Sequence, residues 1–155
     1  MIEKQYLASR VATANEAQLV AILYEGLIDT LKECINYIDS DRENFNKSIN
    51  KSRDIISEFI ATLKGGSEIT NNYKSLYLYI NKLITDADIK KDKSKLEEAI
   101  KIVTPLYEGW SELGEKIYKE NIDKNKGPRL VAGMTYGKGY VNDYVVNSEN
   151  RWEKG

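Results

Sequence analysis

The feature that most restricts this chain is the spacing of its apolar residues. Val20, Leu23, Leu27, Leu31, Ile35 and Ile38 recur at intervals of three and four. That is the period of one helix face, not the alternation of a strand. Asn15 precedes this stripe as an N-cap, with Gln18 three residues later in the capping-box position. A second stripe carries Phe45, Ile49, Ile56, Phe59 and Leu63, is interrupted by Ser52 and Arg53, and is expected to end at Gly65-Gly66. A third, capped by Ser67, carries Ile69, Tyr73, Leu76, Tyr77, Ile80, Leu83, Ile84 and Ala87. In the fourth, Leu96, Val103, Trp110 and Ile117 repeat every seven residues with Ala99, Leu106 and Leu113 between them, which is a bundle seam. Ser94 to Glu97 reads as its capping box, and Pro105 inside it predicts a kink.

Four long stripes with short connectors predict an all-α fold. The expected form is an antiparallel up-down four-helix bundle over residues 1–119, whose first stretch, 1–14, is an N-terminal arm. Glycines and β-prone residues such as Tyr136, Tyr140, Val141, Tyr144, Val145 and Val146 then mark residues 120–155 as a non-bundle tail. An extended or flexible tail laid over the bundle is the first reading, and a partner-specific arm the second.

Composition excludes several kinds of chemistry. Histidine is absent and Cys34 is the single cysteine, which removes Ser-His-Asp and Cys-His catalysis, histidine zinc sites and an intrachain disulfide. A net charge of −1 does not point to nucleic acid. No apolar run approaches the roughly 18 residues of a membrane span, so no membrane insertion is expected. The start, Met1-Ile2-Glu3-Lys4-Gln5, is unlike a signal peptide, and a lone thiol suits a reducing cytoplasm. Asp39, Asp41 and Glu43 read as a solvated connector, because a calcium loop needs more oxygen ligands and a turn glycine. Asp86 and Asp88 do not share a helix face. Gly133 to Gly139 resembles a phosphate loop but is one residue short and has Gly139 where Ser or Thr would bind magnesium. No cofactor, no metal and no catalysis are therefore expected.

Eleven tyrosines stand against two phenylalanines. Tyr24, Phe45, Phe59, Tyr73, Tyr77 and Trp110 fit a core, yet a tyrosine excess also suits a surface that binds a partner. Tyr77 and Tyr79 cannot both face the core, since residues two apart diverge on a helix. Gly26 falls inside a helix at a cost of about 1 kcal/mol, which is explained if a neighbouring helix or a partner backbone approaches it closely.

The run from Tyr6 through Val11, Thr13-Ala14-Asn15-Glu16-Ala17-Gln18-Leu19 and Leu23-Tyr24-Glu25-Gly26 resembles the opening of the flagellin-export chaperones, the FliS family. A second block, Gly65-Gly66-Ser67-Glu68-Ile69 followed by Ser75-Leu76-Tyr77-Leu78-Tyr79-Ile80, Leu83, Ala87 and Asp92, is similar to the same family, as is the place of Trp110. Asn15-Glu16 replaces the usual Ser-Pro, Tyr73 replaces a usual Leu, and Pro105 is atypical. The resemblance covers residues 6 to about 117 and says nothing of the tail. It implies a cytosolic bacterial chaperone that binds the C-terminal segment of flagellin, prevents premature polymerisation and delivers the client to a component of the flagellar export gate. An anti-sigma regulator is a second partner that the family sometimes binds. The residues expected to contact the client or a partner are Tyr6, Val11, Leu23, Tyr24, Gly26, Leu76, Tyr77 and Tyr79. For Tyr6 and Val11 two readings stand: an arm lying over the empty client groove, or a hydrophobic staple. The alternative function is a helical adaptor or oligomerising bundle for another client. Oligomeric state is not encoded in any of these patterns.

Overall fold

Short-range hydrogen bonds decide where each helix begins. A computed structural model describes residues 4–124, and in that part the chain forms five helices and no strand. They are α1 (Lys4–Thr13), α2 (Glu16–Tyr37), α3 (Arg42–Thr62), α4 (Glu68–Lys90) and α5 (Lys93–Lys124). At α2 the expected capping box forms: the Gln18 N–H donates to Asn15 Oδ1 at 2.9 Å, and the Asn15 N–H donates to Gln18 Oε1 at 3.0 Å. Asp41 Oδ1 accepts the Asn44 N–H at 3.1 Å and starts α3. Ser67 Oγ accepts the Thr70 N–H at 3.1 Å and starts α4.

Two boundaries differ from the expectation. The start of α5 uses Asp92 instead of a box at Ser94, because the Asp92 carboxylate accepts both the Ser94 N–H at 3.0 Å and the Ser94 hydroxyl at 2.6 Å. α3 ends at Thr62, where Leu63 turns extended, so Gly65 (φ +84°) serves the following turn instead of the helix cap. α4 closes on Lys91, a non-glycine residue in the left-handed region (φ 52°, ψ 45°). That geometry costs about 1–2 kcal/mol. Lys91 Nζ offsets it by pairing with Asp88 at 3.2 Å and lying 4.6 Å from the Phe45 ring centroid.

The four long helices pack around one core. α2 lies against α3 and α5, and α4 lies against the same two. The contacts run in reverse order along neighbours. Tyr24 stacks on Phe59 while Cys34 meets Ser52, and Asn15 reaches Gly114 while Asp39 reaches Lys93. Phe45, Ile49, Ile56, Ile80, Ile84, Leu96, Ala99, Val103 and Trp110 are buried at the centre. Ser52, which breaks the α3 stripe in sequence, is fully buried and donates its hydroxyl to the Ser48 carbonyl at 2.9 Å.

The arm is itself helical. A ten-residue helix is marginal alone in water, so α1 depends on what it touches. Val11 is buried, Leu7 packs against the core, and the Arg10 guanidinium meets the Glu25 carboxylate at 2.8 Å. α5 runs through Pro105 and past residue 119 to Lys124. The missing proline N–H falls on an exposed side, where water can serve the Lys101 carbonyl. The expected tail after Lys124, with its Gly133–Gly139 loop, lies outside the described residues.

Candidate functional site

The joint between α1 and α2 is held by buried polar contacts. Asn15 caps α2 with its oxygen and donates its Nδ2 to the Gly114 carbonyl of α5 at 2.9 Å, in a buried position. Gly114 must lack a side chain: a Cβ there would stand 2.6 Å from Gln18 Cγ and 3.0 Å from the Gln18 backbone nitrogen. The base of the arm is therefore clamped to α5. Beside it, burial raises the pKa of Glu16, whose Oε2 has no hydrogen-bond partner.

A cleft of about 240 Å³ opens at this joint, between Arg10 and Thr13 of the arm, Gln18 and Ile22 of α2, and Tyr107, Ser111 and Glu115 of α5. Helical spacing carries the α5 wall onward through Tyr118 and Ile122, which are 51% and 62% exposed. On the arm, Tyr6 stands one turn before Arg10, is 60% exposed, and has the Arg10 guanidinium 5.7 Å from its ring centroid. A second exposed apolar set lies on α4, at Ile69, Leu78, Tyr79 and Ile89.

The eight sequence-derived residues do not form one patch. Tyr24, Tyr77, Leu23 and Val11 are buried. The Tyr24 and Tyr77 hydroxyls hydrogen-bond each other at 2.5 Å, and both rings pack on Phe59. Each hydroxyl thus supplies the partner that the other needs, and core is the environment of both. Tyr79 is exposed, donating to Glu98 at 2.8 Å, so the divergence of Tyr77 and Tyr79 is as expected. That bond raises the Tyr79 pKa. Leu76 is half-buried against the core, and Tyr6 stands out from the arm. Gly26 is partly exposed, and a Cβ there would meet nothing within 4 Å. Close approach of a neighbouring helix is therefore not the reason for that glycine. Sequence reasoning did not single out Arg10, Tyr107, Tyr118 or Ile122. The spacing of the last three was legible, but Arg10 becomes notable only through Glu25, fifteen residues away.

Cys34 is fully buried, its Sγ is 3.7 Å from Ser52 Oγ, and burial pushes its thiol up to about 11. Asp39 pairs with Lys93 at 2.9 Å and Asp41 caps α3, so the connector acids have structural partners. Among the described residues no group of three or more acidic, cysteine or histidine side chains could hold a metal ion, and no helix is long and apolar enough to cross a membrane.

The profile of the family described as flagellar protein FliS matches residues 2–117, from the arm to the last core-packed turn of α5. The chain belongs to the FliS family. The flagellar secretion chaperone FliS of Bacillus subtilis (strain 168) is 28% identical over 108 residues, covering 69% of this chain and 81% of the relative. The protein of the same name from Escherichia coli (strain K12) is 25% identical over 108 residues, covering 67% and 79%. That of Salmonella typhimurium (strain LT2) is 25% identical over 113 residues, covering 70% and 83%. FliS is a chaperone family and not an enzyme family. The match spans α1 and Asn15, whereas the end of α5 and everything after it lie outside it.

Proposed function

We propose that this protein is a cytosolic chaperone that binds the C-terminal segment of flagellin, keeps it from polymerising early and delivers it to a component of the flagellar export gate. The observation that carries the reading is the FliS match across residues 2–117. The four long helices serve as an antiparallel up-down bundle, a reading that the reversed order of their contacts supports. An amphipathic client becomes helical when it packs on a partner, and ordering it costs roughly 2–5 kcal/mol. The exposed apolar groups of α1 and α4 offer area to offset that cost. Tyr6, Leu76 and Tyr79 contribute by direct contact, and Gly26 by leaving room for a client backbone. Val11, Leu23, Tyr24 and Tyr77 act from beneath, by setting how the arm and helices lie.

Calorimetry with the C-terminal segment of the same organism's flagellin tests this reading. Saturable heat at micromolar concentration is expected. Its absence would leave the helical adaptor for another client as the better account.

A further inference from the structure

The α1–α5 cleft leads toward the point where the described chain stops. Tyr118 and Ile122, the exposed apolar residues of its outer wall, lie within the last two turns of α5. Both lie beyond residue 117, where the family match ends. Beyond Lys124 come Asn125, Lys126, Gly127, Pro128 and Arg129, in which Gly-Pro is a sequence signal for a turn. Leu130, Val131, Met134 and Tyr136 follow. From Ile122 back to Tyr107 the helix rises about 22 Å. An extended chain spans that length in about seven residues, so residues 129–136 suffice.

Charge agrees with length. The α5 surface from 108 to 120 carries Glu108, Glu112, Glu115 and Glu120 against Lys116 and Lys119. Lys124, Lys126 and Arg129 bring only positive charge to the turn. We propose that residues 129–136 of this chain fold back and occupy the α1–α5 cleft, with their apolar side chains on Tyr107, Tyr118 and Ile122 and Arg129 near the α5 glutamates. The protein then carries its own occupant for a surface at the base of the arm, supplied by a segment outside the family match.

The test uses the full chain, isotope-labelled, with a nitroxide on Glu115→Cys; buried Cys34 stays unlabelled at neutral pH. Amide signals of residues 129–136 should be lost, and should return when Tyr118→Ser and Ile122→Ser are added with helix content unchanged. Undiminished signals, or loss that survives the two serines, would overturn the proposal. So would equal loss from a nitroxide on Glu43→Cys of α3, or loss only when spin label and isotope sit on different molecules. No client is present, so the outcome is independent of the flagellin reading.

Discussion

At the residue scale, Asn15 combines three tasks: it caps α2, closes the box with Gln18 and holds Gly114. Asn15→Ala should cost about 1–2 kcal/mol in urea unfolding. Asn15→Asp keeps the capping oxygen but turns a donor into an acceptor facing a carbonyl, so it should be destabilised as well. Wild-type stability of that variant would show that the Gly114 bond contributes nothing. The acids at the other caps give a pH dependence. Hydrogen bonds from Asn44 hold Asp41 below its ordinary value of 3.8, and those from Ser94 do the same for Asp92. A depressed carboxyl stabilises the fold above its unfolded pKa and loses that contribution as pH falls through the folded value. Glu16, raised by burial, acts in the opposite sense. Stability should therefore decline as pH falls below about 4, and Asp41→Asn, which caps without titrating, should flatten that decline in denaturation curves.

At the scale of elements, α1 is the least independent helix. Its attachment rests on Val11, Leu7 and the Arg10–Glu25 pair, whereas α2 to α5 hold one another on two sides. Val11→Ser should speed amide exchange through α1 while α2 to α5 keep their protection; uniform loss of protection would make α1 part of the bundle's cooperative unit. Tyr6 is different, because it is mostly in water. Tyr6→Ala should change stability by no more than about 0.5 kcal/mol while weakening client binding by a larger factor. Equally small changes in both would reduce the arm to a staple.

For the whole molecule, Cys34 reports on the integrity of the α2–α3 contact. It is fully buried and its thiol is pushed up to about 11. Near neutral pH a disulfide reagent should therefore react with it only through opening of the fold, at a rate that rises with denaturant in parallel with unfolding. Rapid reaction in native buffer would mean that α2 and α3 separate on their own. The same closed interior explains the tyrosine content in part: Tyr24 and Tyr77 are core residues that satisfy each other, and only some of the remaining tyrosines are left for a surface.

The amino-acid sequence by itself determined what depends on neighbours along the chain. The helical period of each stripe, the caps at Asn15 and Ser67, the opposed directions of Tyr77 and Tyr79 and the family blocks are all relations within a few residues or in fixed order. Even there, Asp92 displaced Ser94 as the cap because two acceptors competed for one turn. Tertiary structure alone decided what depends on distant partners. Val11 became buried, Ser52 became core, Gly26 stayed open while Gly114 proved indispensable, and Arg10 found Glu25. Burial and close approach are properties of pairs brought together by packing, and the periodicity of one helix does not specify which atoms of another will face it.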